Sequence, residues 1–179
     1  MRNPQGFTLW MTGMSGAGKS TLAGAVRDLL VPAGCSVEIL DGDQVRTHLS
    51  EGLGFSRIDR DINVRRVGLV AGLLARNGVA VITALISPYR AARDQVRQSH
   101  SSPFVEVFVD CSIDELVRRD PKGLYAKALR GEIDHFTGVS DPYESPVNPD
   151  IHLHTDIQTI DESLATIIST LRNRRLLAD

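Results

Sequence analysis

At 179 residues, 42% hydrophobic and 23% charged, the chain is long enough to bury one good core, and a single domain over 1–179 is expected. A net charge of −2 with no basic stripe argues against a nucleic-acid backbone as partner, so the anions it binds should be small. The two cysteines, Cys35 and Cys111, fall in separate expected elements, which argues against a disulfide framework and suits a reducing cytoplasm; no apolar run long enough for a membrane span and no leader-like apolar stretch is present.

Phe7 to Thr12 reads as a strand, and the segment after it fits G-x-x-x-x-G-K-[ST] from Gly13 to Ser20. Glycines at 13, 16 and 18 let successive amides converge on one anion, Lys19 reaches toward β- and γ-phosphates, and Ser20 offers a hydroxyl to Mg²⁺. Leu22, Val26 and Leu29/Leu30 give the following helix its apolar stripe. Pro32-Ala-Gly34 breaks the chain, and Ser36 to Leu40 is a second strand ending in Asp41-Gly-Asp43, where carboxylates would face nucleotide phosphates. A short helix through Val45 and Leu49 follows. Asp59 is then expected to cap a helix whose buried face carries Ile62, Val67, Val70 and Leu73/Leu74 and whose polar side holds Arg57, Arg60, Asp61, Asn63, Arg65 and Arg66. Arg65 and Arg66 read as a solvated face or dimer contacts.

Val79 to Ile86 is a continuous apolar run, the pattern of an interior parallel strand, with Ser87-Pro88-Tyr89-Arg90 at its end and a polar helix to about Ser99. Phe104 to Asp110 is a fourth strand, and Ser112 an N-cap for a helix reaching Arg119. From Asp120 to Pro149 the pattern breaks, and a short helix near Leu124 to Arg130 inside a functional lid is expected. Ile151 to Thr155 is a last short strand, and Ile160, Leu164, Ile167/Ile168 and Leu171 mark a terminal helix. His152 and His154 share one face of that strand, but without a carboxylate or cysteine partner assigned to them a metal site is not expected there. The alternation gives an α/β, three-layer P-loop NTPase fold with a mostly parallel central sheet and a lid at about 120–149.

A phosphate loop leaves the acceptor open. The chain lacks a guanine-reading N-K-x-D, and the apolar strand ends in Ser87 where a Walker B Asp would stand, so Asp41 is the substitute carboxylate. Arg46, Arg60 and Asn63 form a second anion-binding set, which an ATPase does not need and a kinase with an anionic acceptor does.

Taken with Leu40-Asp-Gly-Asp-Gln-Val-Arg46, Leu53-Gly-Phe-Ser56, Asp59-Arg-Asp-Ile-Asn-Val-Arg-Arg66, Ile86-Ser-Pro-Tyr-Arg90, Arg119-Asp-Pro-Lys-Gly-Leu-Tyr125, Phe136-Thr-Gly138 and Asp141-Pro-Tyr-Glu144, the chain resembles stand-alone adenylylsulfate kinases. Cys111, Ser112 and His135 are minor departures from that pattern. The resemblance implies ATP and Mg²⁺ as cofactors, adenosine 5′-phosphosulfate (APS) as acceptor and a homodimer. It places ATP on Gly13, Ser15, Gly16, Ala17, Gly18, Lys19, Ser20 and Thr21, with Arg119 and Thr155 at its adenine, and metal at Ser20 and Asp41. Asp43, Arg46, Phe55, Arg60, Asn63, Ile86, Ser87, Lys122 and Phe136 are implied to line the acceptor site, with Phe55 and Phe136 sandwiching its adenine. Lys19, Asp41 and Ser87 are the implied catalytic residues; because Ile86 and Pro88 offer Ser87 no base, direct in-line transfer is expected over a phosphoserine intermediate. Another small-molecule kinase on this fold and a non-catalytic nucleotide-binding module are the alternatives.

Overall fold

A computed structural model describes residues 6–177, so the outermost residues of the expected domain, and part of the N-terminal stretch searched for a leader, lie outside it. Five strands form one sheet in the order β2-β3-β1-β4-β5, and every pairing is parallel. The strands are β1 Phe7–Thr12, β2 Ser36–Asp41, β3 Val79–Ala84, β4 Phe104–Asp110 and β5 Ile151–His154. The helices are α1 Lys19–Leu30, α2 Gly42–His48, α3 Arg57–Ala75, α4 Arg90–Ser99, α5 Ile113–Arg119, α6 Leu124–Leu129 and α7 Ile160–Asn173.

All six residues of β1 are buried, because helices cover both faces of the strand. Phe7, Leu9 and Met11 meet Leu22, Val26 and Leu30 of α1 and Ile167 and Leu171 of α7 in one core. On the other face Trp10 packs with Val64, Val67 and Val96 from α3 and α4 and stacks on Phe104 at 5.8 Å. Leu29, expected inside, is 48% exposed.

Helix α3 departs from expectation in two ways. Its N-cap is Ser56, whose Oγ accepts from the Asp59 N–H; Asp59 stands in the first turn, where its carboxylate accepts from Ser56 Oγ at 2.7 Å. Its buried stripe is Arg60, Asn63, Val64, Val67, Ala71 and Ala75, whereas Leu73 is exposed. The stripe turns polar at its N-terminal end because there the helix leaves the sheet and faces a cleft. Ser112 occupies the N-cap position of α5 without a side-chain cap bond; its N–H goes to Asp156 Oδ2 at 3.2 Å. In α7, Thr159 and Glu162 form a capping box that the apolar pattern alone does not reveal.

The 120–149 stretch contains the expected short helix, α6. Asp120 holds it by accepting the amides of Tyr125 and Ala126 at 3.0 Å each, which also pulls the Asp120 carboxyl below its usual range. Tyr125 Oη donates to the Ser15 carbonyl at 3.0 Å, so the base of this stretch is tied to the phosphate loop. Its far end is pinned as well: the Glu144 N–H donates to the Pro88 carbonyl, and Tyr143 Oη bonds Thr12 Oγ1, both at 2.9 Å.

Candidate active site

The Gly13–Ser20 segment turns sharply between β1 and α1. A Cβ on Gly13 would lie 2.3 Å from the Val109 carbonyl oxygen, so no other residue fits there, and Gly18 caps α1 at φ 96°. Lys19 is buried and its Nζ donates to the carbonyls of Gly13 and Met14, both at 2.7 Å. Burial lowers its pKa from 10.5 to about 7; Asp41 opposes that fall and Lys122 adds to it. Ser20 Oγ donates to Asp41 Oδ2 at 2.6 Å, while Asp41 Oδ1 accepts the Asp43 N–H and so caps α2.

Beside the loop opens a cleft of about 540 Å³. Ser15, Gly16, Gly18, Lys19, Ser20 and Thr21 form its loop wall. The opposite walls come from Asp41, Asp43 and Arg46 after β2; Phe55, Arg60 and Asn63 leading into α3; Ile86 and Ser87 after β3; and Lys122 and Phe136 of the lid stretch. The structure therefore brings together every residue expected at the acceptor site. Gly13, Ala17, Arg119 and Thr155 do not line this cleft. Arg119 and Thr155 meet each other on the far side of the loop, Arg119 Nη2 donating to the Thr155 carbonyl at 2.5 Å and Thr155 Oγ1 to the Ala17 carbonyl at 2.9 Å.

The cleft sets Lys19, Arg46, Arg60 and Lys122 against Asp41, Asp43, Asp120 and Asp134, and burial makes several of the cations costly to keep charged. Arg60 is buried, donating from Nε to the Phe55 carbonyl at 2.9 Å and from Nη2 to the His135 carbonyl at 2.5 Å. Burial depresses its pKa, and burial together with the neighbouring Arg60 depresses that of Arg46. Lys122 pairs with Asp43 across the mouth. Phe55 is 53% exposed with the Arg46 guanidinium 4.3 Å above its ring; Phe136 is buried, edge-on to Tyr125 at 4.9 Å. Two buried polar atoms in the lining, Asn63 Oδ1 and Thr137 Oγ1, have no partner among the described residues, which is what a site completed by a polar ligand leaves behind. Thr137 lies within Phe136-Thr-Gly138 and has no other sequence signal.

Ser87 is buried with φ 38°, a left-handed conformation rare for a residue with a side chain and costing on the order of 1 kcal/mol. Among the described residues, its Oγ is hydrogen-bonded by Trp10 Nε1 alone, at 3.2 Å. The strain is held by Arg93, which sequence reasoning missed. This residue is 1% exposed; it donates to the Ser87 carbonyl at 2.7 Å, to the Glu144 carbonyl at 2.6 Å and to Glu106 Oε1 at 3.0 Å. A buried-position Glu106 amid the apolar residues of β4, and an arginine on the Ala92 and Val96 face of α4, were the signals available.

One expectation is overturned outright: β4 sets the Asp110 carboxylate 3.0 Å from His152 Nε2, so the histidine pair does have an acidic neighbour. Among the described residues no helix is long and apolar enough to cross a membrane. Cys111 is buried and Cys35 half-buried, both as free thiols.

A family model described as adenylylsulphate kinase matches residues 5–154. An adenylyl-sulfate kinase of Myxococcus xanthus is 55% identical over 99% of this chain and 97% of its own length. One of Chloroflexus aurantiacus is 57% identical over 93% and 89%. Among solved structures, the Mycobacterium tuberculosis APS kinase in complex with AMPPNP and APS superposes with a TM-score of 0.91 at 46% identity, covering 94% of this chain and 99% of that one.

Proposed function

The chain belongs to the adenylylsulphate kinase family, and from that premise we propose how its residues phosphorylate the 3′-hydroxyl of adenosine 5′-phosphosulfate with ATP. The observation that carries the reading is the single cleft with a phosphate loop on one wall and Arg46, Arg60, Asn63 and Phe55 on the other. A γ-phosphoryl group and an anionic acceptor can face each other across it.

The amides of Gly13 to Ser20 take the β- and γ-phosphates at the N-terminus of α1, and Lys19 Nζ exchanges two loop carbonyls for phosphate oxygens. The hydroxyl of Ser20 and the carboxylate of Asp41, 2.6 Å apart, are hard oxygen donors that fit Mg²⁺. When bound, that ion would neutralise charge on the transferring phosphoryl group. Arg119 and Thr155, joined behind the loop, hold the ATP base. Arg46, Arg60 and Lys122 hold the phosphosulfate, and Phe55 and Phe136 flank the acceptor adenine. Asp41 accepts the 3′-hydroxyl proton as the oxygen attacks phosphorus in line with the departing ADP. Ser87, whose Oγ accepts the indole N–H of Trp10, keeps its own proton to donate to the acceptor. Among the described residues no carboxylate or imidazole is bonded to it, which supports direct transfer over a phosphoserine.

Free thiols support work in a reducing cytoplasm. Exposed Leu69 and Ile58 on the outer face of α3 support the homodimer, which sedimentation would check. Purified protein with Mg-ATP and APS should form the 3′-phosphorylated nucleotide. AMP or gluconate turned over in its place would favour the other small-molecule kinase reading, and no turnover of any acceptor the non-catalytic one.

A further inference from the structure

The parallel pairing of β4 with β5 sets Phe108 beside His152 and Asp110 beside His154. Ile151 and Leu153 are buried against the core, so the two histidines, two residues apart, project together from the opposite face of this edge strand. Asp110 Oδ2 lies 3.0 Å from His152 Nε2 and 3.9 Å from His154 Nδ1, and the imidazole centroids are 4.2 Å apart. One ligand atom from each of the three residues falls within 4.8 Å of the others. We propose that Asp110, His152 and His154 form a binding site for a divalent transition-metal ion of the zinc type, outside the catalytic cleft.

Two imidazoles and a carboxylate are a donor set that three-ligand zinc sites use, whereas Mg²⁺ and Ca²⁺ take oxygen shells. Ligands at about 2.0–2.2 Å from a tetrahedral ion lie about 3.3–3.6 Å from one another. The Asp110–His152 separation is already close to that, and the third ligand has about an ångström to close on the same bond lengths. His154 is exposed, so that movement disturbs no core packing.

The remaining geometry is preorganised. His152 stacks on Phe108 at 4.7 Å, Phe108 on Tyr143 at 5.9 Å, and Tyr143 Oη bonds Thr12 Oγ1 at 2.9 Å, a column running back to the central strand. The His154 N–H donates to Gln158 Oε1 at 2.6 Å, and the Asp110 carbonyl accepts the Thr155 N–H at 2.9 Å, fixing both strand ends. None of the three ligands lines the catalytic cleft, so this site is distinct from the oxygen pair of Ser20 and Asp41. The solvent-facing side leaves coordination positions for water.

The test uses the tag-free full chain, stripped with chelator and then saturated with ADP and Mg²⁺ so that the phosphate-loop position is filled. Zn²⁺ is titrated in competition with a chromophoric chelator, and Co²⁺ is followed by its visible absorption. One equivalent of each ion should bind, with a Zn²⁺-dependent rise in Tm. His152→Ala and His154→Ala should each raise Kd by about 100-fold or more, beyond the roughly 10- to 100-fold that loss of an outer-shell partner costs. Both side chains are exposed, so circular dichroism and the basal kinase rate should stay unchanged. Asp110→Asn should weaken binding while keeping the shape of the site. No bound equivalent, or undiminished binding in the His152→Ala/His154→Ala double variant, overturns the proposal and leaves Asp110 and His152 as a hydrogen-bonded pair only.

Discussion

Nucleotide binding should take up a proton at neutral pH, and Lys19 should be its source of pH dependence. A fall in pKa from 10.5 to about 7 disfavours the buried ammonium by on the order of 5 kcal/mol. At pH 7.5 a group of pKa about 7 is charged in only about a quarter of molecules. Phosphate oxygens arriving at Nζ restore the charge, so wild type should absorb about 0.75 proton per nucleotide at pH 7.5 and only about 0.1 at pH 6. By linkage, affinity should fall about tenfold per pH unit above neutrality. The apo protein follows the same sign. Its folded-state pKa lies below the unfolded value, so the cost of the charged lysine is fully present below about pH 7 and is relieved as pH rises toward 10.5. Calorimetry of ADP binding in buffers of different ionisation enthalpy measures the uptake directly. Lys19→Arg, always charged, should show no uptake beyond that of the nucleotide's own phosphates. Equal uptake in wild type and Lys19→Arg would refute the argument.

Lys19→Ala should lower kcat by about 10² or more in steady-state assays, the scale of one lost preorganised contact to developing charge; a mutant weakened only in ATP binding would contradict that role. Ser87→Ala should raise KM and lower kcat moderately while turnover persists, and wild type given γ-labelled ATP alone should carry no label on Ser87. Arg93→Met should destabilise the protein by about 3 kcal/mol in urea melts, because it removes the nearer partner of the buried Glu106 carboxylate and leaves it to Arg97 at 3.6 Å. Arg93→Met/Glu106→Gln should recover much of that stability but not kcat, since the Arg93 hydrogen bonds to the Ser87 and Glu144 carbonyls are lost and the Ser87 carbonyl keeps only the long one from Thr12 at 3.4 Å. Trypsin should cut the free protein after Lys127 or Arg130 and be slowed by ADP with adenosine phosphosulfate; unchanged cleavage would count against a closing lid.

The phosphate loop was legible because its chemistry is local: strand, glycines, lysine and helix follow one another within a few residues. The interior strand β3 was legible for a similar reason, since a strand covered on both faces is written as a run with almost no polar residue, whereas the edge strands β2 and β5 mix buried and exposed positions. Helix α3 was misread where function intrudes on packing. Arg60 and Asn63 occupy its buried stripe because they face a ligand cleft, and that polar interruption shifted the apparent apolar face onto Leu73. Arg93 and the Asp110–His152 contact were hidden for another reason. Their partners lie 6 to 51 and 42 residues away, and only the packing of α4 and the register of β4 with β5 join them.

The strand order also sorts the reaction spatially. β1 delivers the phosphate loop from the middle of the sheet, and the proposed acceptor residues Asp43, Arg46 and Ser87 follow β2 and β3 on one flank. Arg119 and Thr155, assigned to the ATP base, follow β4 and β5 on the other. The proposed acceptor site is closed from that second flank by Lys122 and Phe136, between β4 and β5, so drift on the β2 side alone would retune only part of the acceptor's grip while leaving the proposed contacts to the ATP base untouched.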